Sequence, residues 1–292
     1  MPPFPRIPPA RPSVSRFSYG IVEFRRLMDV VGTVAIFTGR DRRPSAARPS
    51  AAGTSAAGLA VAGLAVAGLA VVHGGPAVTA IGPLRRRFFP QLAGLGRGGH
   101  VALTFDDGPD PRSTPGFLEV LAAQQIRATF FVLGSMVARA PQLAAEIAAA
   151  GHEIGVHGWD HRYALLRGPR AQRDDMARAR DAAADVTGAA PRFYRPPYGV
   201  LSAGALAAAR GLGLTPMLWT SWGREWTPGA TPASVYRTLT RDLAGGGTVL
   251  LHDSDCTSPT GSARAALGAL PMLLDECARR GLSVGPAAEH VL

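Results

Sequence analysis

Two histidines and an aspartate in the middle of the chain have the residue types and spacing of a metal site. His157 and His161 are separated by three residues, which can direct two imidazoles at one ion, although the intervening Gly-Trp-Asp favours a loop or single turn. A histidine pair alone is more often structural, so a third ligand is needed. Asp107 supplies a carboxylate oxygen and would complete an open site with room for water, as in catalytic metal centres. The surrounding Asp-Asp-Gly-Pro also favours a turn, and the two interpretations are compatible.

Short apolar runs alternate with alanine-rich segments of helical length after about residue 100. The runs are apolar on both faces, which is typical of strands in a parallel sheet that is covered by helices. The pattern therefore predicts an α/β fold whose sheet is either open or closed into a barrel. The predicted strands are residues 101–105, 128–134, 153–157, 192–194, 215–220 and 248–252, and the predicted helices are residues 114–124, 136–150, 170–187, 202–211, 232–244 and 262–280.

Polar residues able to do chemistry fall at the carboxyl ends of five of the predicted strands. In parallel α/β folds that edge collects the active site, because the loops after the strands converge on one mouth. One charged residue at a strand end is unremarkable, whereas five strand ends that supply carboxylates, imidazoles and a guanidinium are hard to attribute to chance. We therefore expect a single site built from Asp106, Asp107, His157, His161, Arg195, Glu225 and His252.

The amino-terminal third differs in composition from the rest and divides into three segments. Residues 1–55 are rich in Pro, Arg, Ser and Ala without a sustained apolar period, which predicts a disordered leader, with Met1 or Met28 as the start. Residues 56–84 lack charged side chains and begin with a continuously apolar run, which predicts a membrane anchor or a signal segment. Residues 85–97 are predicted to be a basic linker, and residues 98–292 the catalytic domain.

The apolar segment leaves two routes to the membrane open. At about 1.5 Å of rise per residue, its apolar run is marginal for a hydrocarbon core of roughly 30 Å unless the ends extend it. Val78-Thr79-Ala80 is a small-residue cleavage site and favours a signal peptide, whereas the flanking arginines complicate the topology. Either route predicts a membrane-anchored or secreted protein with an extracytoplasmic catalytic domain. The alternative is a disordered linker, because Ala and Gly contribute little transfer free energy.

Charge and cysteine content exclude several classes of protein. The formal net charge is +10, but the excess of arginine lies in the amino-terminal segments, outside the part that should fold, so we expect no nucleic-acid partner. Cys256 and Cys277 are the only cysteines, which excludes a disulfide scaffold and a cysteine-based zinc site. They would form one disulfide if the domain is exported, or otherwise be two small core residues. No feature of the sequence indicates a protein partner.

Five segments carry the candidate site residues in a fixed order along the chain. They are Thr104-Phe105-Asp106-Asp107-Gly108, the His157 and His161 pair, Arg195-Pro196-Pro197-Tyr198, Glu225-Trp226, and Leu251-His252. Over about residues 98–285 this order resembles the motifs of the polysaccharide deacetylases, also known as carbohydrate esterase family 4 or the NodB-homology domain. The resemblance implies a distorted (β/α) barrel with fewer strands than the eightfold form, a closure that the periodicity leaves open.

The resemblance also implies how the site would hold an ion and activate water. Asp107, His157 and His161 would bind a divalent metal, with Zn²⁺ favoured and Co²⁺, Ni²⁺ or Mn²⁺ as alternatives. The ion would polarise an amide carbonyl and lower the pKa of the attacking water. Asp106 would be the general base for that water, and Arg195 would orient it and keep it ionised.

The remaining motif residues would act on the leaving group and the substrate. His252 would protonate the departing amine, and Glu225 would set the protonation of His252. The main-chain N–H of Tyr198 would stabilise the tetrahedral oxyanion. The aromatic rings of Tyr198 and Trp226 would stack on pyranose rings of the substrate, although core packing is the alternative for each ring alone.

Three positions depart from the family pattern. Gly158 stands where the family usually has Ser or Thr, so a hydrogen bond within the metal loop should be missing. Glu225 replaces an Asp that commonly adjusts the acid histidine, which changes its reach by one methylene. Trp222 stands where another acidic residue is often found, which would reshape the substrate cleft.

Together these observations predict an enzyme that removes acetyl groups from N-acetylated sugars. The expected substrate is an N-acetylglucosamine-containing glycan such as peptidoglycan or a chitooligosaccharide, with acetate released. One alternative is a deacylase or deformylase of another N-acyl or lipid-linked sugar. Another is a catalytically inactive surface protein that binds glycan, but a binding module has no need for a base and an acid beside a metal.

Overall fold

The computed structural model describes residues 56–291, and it describes side-chain surroundings from residue 63 onward. The leader of residues 1–55 that the sequence predicts lies outside the described residues. From residue 100 the chain alternates between parallel strands and helices, as the apolar periodicity predicts.

A parallel sheet of eight strands forms the centre of the described fold. Seven strands follow one curled path in the order β5-β4-β3-β2-β1-β7-β6, and β8 pairs with the start of β1. Every strand pairing is parallel, and all seven residues of β1 are buried. The strands are β1 (His100–Asp106), β2 (Thr129–Val132), β3 (Glu153–Val156), β4 (Phe193–Tyr194), β5 (Thr215–Pro216), β6 (Ser221–Trp222), β7 (Thr248–His252) and β8 (Ser283–Gly285).

Helices between the strands pack on the curled sheet, which confirms the distorted (β/α) barrel. The largest core cluster includes Phe105, Phe117 and Phe130. The ring centroid of Phe105 lies 5.1 Å from that of Phe117 and 4.9 Å from that of Phe130. Between and after the strands are α3 (Thr114–Ala123), α4 (Gly134–Arg139), α5 (Pro141–Ala149), α6 (Pro169–Thr187), α7 (Ala203–Gly211), α8 (Pro232–Asp242), α9 (Ser262–Arg279) and α10 (Ala287–His290). Before them are α1 (Ala56–Gly74) and α2 (Gly82–Phe88).

Two predicted elements are each divided in the structure. The single helix predicted over 136–150 is two helices, α4 and α5, which meet at Ala140, whose backbone is not helical (φ −136°, ψ 60°). Pro141 begins the second helix because its fixed φ suits a first turn and its missing N–H would break a continuous helix. The strand predicted over 215–220 is also interrupted, because only Thr215–Pro216 is a strand, β5, and the next strand, β6, begins beyond the predicted range at Ser221. The N–H of Met217 still donates to the carbonyl of Tyr194 at 2.9 Å, and the contact with β4 ends only where the N–H of Leu218 turns to another partner.

An opening in the barrel follows from that division. Among the described residues no pairing joins β5 to β6, and a segment from before β1 fills the space between them. The main-chain N–H of Leu218 donates to the carbonyl of Leu92 at 2.8 Å. Arg85, on α2, is buried and donates from its guanidinium to the carbonyls of Thr79 at 2.9 Å and Trp219 at 2.7 Å. This chain's barrel is therefore completed by residues that precede its first strand.

The same segment continues across the amino-terminal edge of the sheet. The carbonyl of Gly94 accepts a hydrogen bond from the hydroxyl of Thr248 at the start of β7. The N–H of Gly96 donates to Gly246 at 3.0 Å, and that of Arg97 donates to His290 at 3.0 Å. Gly96 has no room for a side chain, because an added Cβ would lie 2.2 Å from the His290 carbonyl oxygen. Residues 79–97 thus pack as part of the folded unit.

Helix α1 covers the first part of the apolar segment predicted over 56–84, and its side chains from residue 63 are mostly exposed. The window Gly63–Ala80 is long and apolar enough to cross a membrane, by length and composition. A short 3-10 helix, Gly75–Ala80, follows α1 and contains the predicted cleavage site. Thr79 in that site is buried, and its carbonyl accepts a hydrogen bond from the guanidinium of Arg85. The site is therefore folded against the domain.

We expect the hydrogen bonds of the buried Arg85 guanidinium to contribute strongly to the stability of the fold. Replacing Arg85 with Met would leave two buried carbonyl acceptors without their donor, so the free energy of unfolding should fall by roughly 2–4 kcal/mol. Urea unfolding of the full chain in mild detergent, followed by tryptophan fluorescence, measures this change.

The matched control is Arg87→Met on the same helix, because the side chain of Arg87 is exposed. We expect that control to change the free energy of unfolding by no more than about 0.5 kcal/mol. Equal effects of the two substitutions would show that the contacts of Arg85 contribute nothing specific.

Candidate active site

The carboxyl ends of the strands bring the predicted site residues together. Asp106 ends β1 and is the register partner of Phe131 on one side and of His252, the last residue of β7, on the other. His157 directly follows β3, and Arg195 directly follows β4. The curled parallel sheet therefore gathers these side chains at one mouth.

The three candidate metal ligands face one another at this mouth. The Nε2 atom of His157 lies 3.4 Å from Oδ1 of Asp107, and Nε2 of His161 lies 3.6 Å from the same oxygen. One ligand atom from each residue falls within 4.8 Å of the other two. Asp107 and His157 are buried, and His161 is half-buried.

Both histidines are held in the neutral form that binds a metal. Burial, together with the neighbouring His161, lowers the pKa of His157 to about 3. Burial also lowers the pKa of His161, against the opposing charge of Asp107. Nδ1 of His157 donates to the carbonyl of Arg195 at 2.8 Å, which fixes the tautomer and leaves the lone pair of Nε2 for a ligand.

The chemistry of this trio fits a divalent cation. Oδ1 of Asp107 is a buried carboxylate oxygen without a hydrogen-bond donor among the described residues, although two imidazole nitrogens face it. A buried anionic oxygen beside two nitrogen lone pairs is costly without a positive charge between them. Two imidazoles and one carboxylate suit zinc and similar divalent ions and leave positions for water.

The loop that carries the two histidines is fixed by hydrogen bonds on both sides. Gly158 adopts a φ of 86°, which favours glycine over the Ser or Thr of the family pattern. Its carbonyl accepts from Gly134, and the carbonyl of Trp159 accepts from Ser135, so the loop is tied to the start of α4.

Asp175 supplies a support that the sequence analysis missed. Its Oδ2 accepts from the main-chain N–H of Trp159 at 2.9 Å, and its Oδ1 pairs with Arg167 at 2.5 Å. The loop of Gly158 therefore has a hydrogen-bond partner, provided by a carboxylate from α6. The only sequence signal is an acidic residue on a helix after the motif, which is too common to single out.

A second set of missed residues holds the aspartate ligand. Asp107 has a φ of 80°, and the hydroxyl of Thr257 donates to its Oδ2. The thiol of Cys256 lies 3.4 Å from the Asp107 carbonyl. Both cysteines are free, so the disulfide alternative is wrong. The alternative of two core residues holds for Cys277, which is buried, but not for Cys256, which is exposed. Because Thr257 binds Oδ2 of Asp107, only Oδ1 faces the two histidines.

The strand-end aspartate beside this trio is paired with a buried arginine. Arg195 is fully buried, and its Nη1 donates to Oδ1 of Asp106 at 2.7 Å. The other oxygen, Oδ2 of Asp106, lies 3.7 Å from Nε2 of His157. One carboxylate oxygen therefore holds the arginine while the other faces the candidate metal site.

The last strand end carries a histidine and a carboxylate in direct contact. Oε1 of Glu225 accepts from Nδ1 of His252 at 2.8 Å and from its main-chain N–H at 2.6 Å. Burial disfavours the charged imidazole, but the charge and hydrogen bond of Glu225 outweigh it and raise the pKa of His252 to about 9, with Asp107 and Asp106 adding to the effect. The other ring nitrogen of His252, Nε2, takes no part in the contact with Glu225.

Aromatic side chains flank the mouth on two sides. Tyr198 is half exposed at a φ of 60°, and its ring lies 4.4 Å from that of His161 and 5.5 Å from that of Tyr163. The ring of Trp226 lies edge-on to that of His252, with ring centroids 5.2 Å apart, and its centroid is also 5.2 Å from that of Trp222. Both predicted stacking residues are thus beside the predicted chemical groups.

Comparisons with known proteins identify sequences and folds similar to this chain. The sequence profile of the family described as polysaccharide deacetylase matches residues 95–217. A chitooligosaccharide deacetylase of a Bradyrhizobium species is 34% identical over 195 residues, which cover 64% of this chain and 88% of that protein. The peptidoglycan-N-acetylglucosamine deacetylase PgdA of Listeria monocytogenes is 34% identical over 153 residues, which cover 52% of this chain but only 32% of that protein.

A solved structure has the same fold as the described chain. The crystal structure of the Bc1960 peptidoglycan N-acetylglucosamine deacetylase superposes with a TM-score of 0.63 at 26% identity. The match covers 68% of this chain and 91% of that one. The distorted barrel therefore recurs in a protein whose sequence has diverged widely from this one.

The support of the histidine loop by Asp175 predicts an effect on metal affinity. Asp175→Ala removes the acceptor for the Trp159 N–H and the partner of Arg167, so the loop should hold both imidazoles less rigidly. We expect zinc to bind about 10–100-fold more weakly, as for other partners that orient metal ligands. Competition with a chromophoric chelator measures this affinity.

Asp174→Ala is the matched control, because Asp174 is the preceding residue of α6 and its side chain is 65% exposed. It should leave zinc affinity unchanged. As a reference, Asp107→Asn should abolish stoichiometric binding. Unchanged affinity in Asp175→Ala would show that the loop is rigid without this carboxylate.

Proposed function

The chain belongs to the polysaccharide deacetylase family, and from that premise we propose that it hydrolyses the acetamide of N-acetylglucosamine units in a glycan and releases acetate. The observation that carries this proposal is the convergence of three groups at one mouth. These are the buried trio of Asp107, His157 and His161, the pair of Asp106 with Arg195, and the pair of His252 with Glu225. Each group has a separate part in amide hydrolysis.

The trio would hold a divalent metal, with Zn²⁺ favoured and Co²⁺, Ni²⁺ or Mn²⁺ able to replace it. Such an ion acts as a Lewis acid on the amide carbonyl and lowers the pKa of a water at the site. The protein's own contribution is to keep His157 and His161 neutral by burial and to aim one oxygen of Asp107 at them.

Asp106 is proposed as the general base. Its Oδ2 lies beside the candidate metal site, at 3.7 Å from Nε2 of His157, so it is the oxygen placed to accept a proton from the attacking water. Arg195 holds the other oxygen and orients the carboxylate. The guanidinium cannot itself take the proton, because it stays charged.

His252 is proposed as the general acid that protonates the departing amine. An amine leaves poorly without a proton, and the raised pKa of His252 keeps a proton available near neutral pH. Glu225 receives the hydrogen bond from Nδ1, so Nε2 is the atom that would donate to the leaving nitrogen.

Substrate contacts are proposed for Tyr198 and Trp226. The main-chain N–H of Tyr198 would stabilise the oxyanion, and the rings of both residues would stack on sugar rings at the two sides of the mouth. Peptidoglycan and chitooligosaccharides both contain N-acetylglucosamine, the unit named or implied by the relatives' activities.

The proposal places the catalytic domain outside the cytoplasm. The apolar window Gly63–Ala80 supports membrane association, as an anchor or a signal segment. We propose that the chemistry resides in the part from residue 98 onward and that nucleic acid is not a partner.

A comparison of two substrates tests the proposed activity. The full chain, purified in detergent and loaded with zinc, should release acetate from penta-N-acetylchitopentaose or from purified peptidoglycan. Asp106→Asn should bind zinc normally and release almost no acetate. An absence of acetate release from both glycans by the zinc-loaded protein would contradict the proposal and favour a glycan-binding role.

The contact between His252 and Glu225 predicts the alkaline limb of the pH–rate profile. The acid must be protonated, and its pKa is raised to about 9, so kcat should fall as the pH rises through about 9. Glu225→Gln removes the charge that raises this pKa, so the fall should begin at lower pH, nearer the ordinary histidine value of about 6.5. Acetate release measured from pH 5 to pH 10, at about unit intervals, gives the profile.

His252→Ala is the companion variant for this prediction. It should lose about 10²–10⁴ in kcat, the usual contribution of one acid–base group, while retaining its metal. Metal loss in His252→Ala would make His252 a ligand instead. An alkaline limb that does not move in Glu225→Gln would separate Glu225 from the mechanism.

A further inference from the structure

Five large apolar side chains form an exposed surface on the segment that precedes the barrel, here called the seating surface. Each exposes between 39% and 62% of its area to solvent, whereas Thr79 and Arg85 in the same segment are buried. Its members are Val78, Ile81, Leu84, Phe88 and Phe89. Single exposed apolar residues are ordinary, but a run of five over twelve positions requires an explanation.

The position of the seating surface in the chain favours a membrane as the partner that covers it. It overlaps the end of the window Gly63–Ala80, which is long and apolar enough to cross a membrane. Arg86 and Arg87, both exposed, lie within the surface on α2. Apolar side chains interleaved with arginines are typical of a segment that lies in the interface of a bilayer, where the guanidinium groups meet lipid phosphates.

We propose that the seating surface rests on an anionic lipid bilayer and holds the catalytic domain there with the mouth directed away from the lipid. Phe88 and Phe89 enter the boundary between headgroups and acyl chains, and Arg87 pairs with phosphates. The proposal does not depend on the enzymatic activity, because lipid contact is independent of any glycan.

Arg85 fixes the seating surface to the folded domain. It lies between Leu84 and Arg86 in the same short helix, but its side chain points into the domain and binds the carbonyls of Thr79 and Trp219. Burial and the neighbouring Arg86 and Arg195 lower the pKa of Arg85 to about 10, so it remains charged at neutral pH. Helix α2 therefore presents apolar groups outward while being fixed to the barrel inward.

The orientation follows from where the segment meets the sheet. Arg86 donates to the carbonyl of Thr220, and Gly94 accepts from Thr248, which begins β7. These contacts lie at the amino-terminal edge of the strands, whereas the candidate active site lies at their carboxyl ends. Strand β1 has seven residues, so the two edges are roughly 20 Å apart at about 3.3 Å per residue.

Site-directed fluorescence on the full chain tests both parts of the proposal. An environment-sensitive nitrobenzoxadiazole label is attached in a Cys256→Ser background, either through Phe88→Cys on the seating surface or through Thr227→Cys beside the mouth. Cys277 is buried and should not react. Each labelled protein is reconstituted into vesicles of phosphatidylcholine and phosphatidylglycerol that carry a spin-labelled quencher on the acyl chains.

We expect the label at position 88 to shift to shorter wavelength and to be quenched severalfold more than the label at position 227. Replacing phosphatidylglycerol with phosphatidylcholine should reduce the quenching at position 88, because the arginines lose their anionic partners. The variant Arg87→Gln should reduce it in the same direction while leaving Arg85 and its contacts intact.

Other outcomes overturn the proposal. A label at position 88 that stays water-exposed in vesicle-bound protein would leave the surface without a lipid partner. A blue-shifted label that lipid quenchers do not reach would indicate that a second copy of the chain covers the surface, which chemical crosslinking would detect. Equal quenching at positions 88 and 227 would disprove the orientation, and failure to float with the vesicles would disprove lipid association altogether.

Discussion

Arg195 follows β4, and its fully buried guanidinium joins β1 to the connection between β5 and β6. It donates to the carboxylate of Asp106 and the hydroxyl of Thr104 from β1, and to the carbonyls of Met217 and Leu218 in the connection between β5 and β6. Burying a charge is costly unless it is paired and its donors are satisfied, so these partners must all be in place for the barrel to close around it. The candidate site and the sheet therefore form together.

The same arginine connects the site to the segment before the barrel. Its guanidinium carbon lies 5.8 Å from the ring of Trp219, and that of Arg85 lies 5.5 Å from the same ring. The carbonyl of Trp219 binds Arg85, while that of Leu218 binds Arg195. The β5–β6 connection is thus held from inside by one arginine and from outside by another, where a regular barrel would use strand pairing.

The sequence allows the chemistry of this site to be predicted better than its supports. Asp106, His157 and His252 stand at the ends of apolar runs, and parallel strands bring such ends together whatever the details of the helices. Asp175 and Arg85 could not be predicted in the same way, because each acts through a contact between elements distant in the chain. A helical aspartate and an arginine in a short arginine run have the same local pattern as many solvated residues.

Two other failures have a local cause that the apolar pattern hides. The runs over 136–150 and 215–220 are both continuous in hydrophobicity. Pro141 interrupts the first, whereas the N–H groups of the second change partner, from β4 at Met217 to Leu92 at Leu218 and β7 at Thr220. Neither a missing proline N–H nor a change of pairing partner alters apolar character, so periodicity alone predicts one continuous element in each place. The second of these divisions creates the opening that Arg85 and Leu92 fill.

The arrangement of charges at the mouth separates the two groups proposed to transfer protons, Asp106 and His252. Asp106 faces a buried cation, Arg195, and His252 faces a buried anion, Glu225, so each candidate group has a counter-ion of opposite sign. Both counter-ions are at most 1% exposed, which limits screening by water and salt. Environments of opposite sign are how neighbouring groups are kept in different protonation states at one pH. Because Arg195 also ties β1 to the β5–β6 connection, the electrostatic asymmetry that acid–base chemistry requires is set by the same contacts that close the fold.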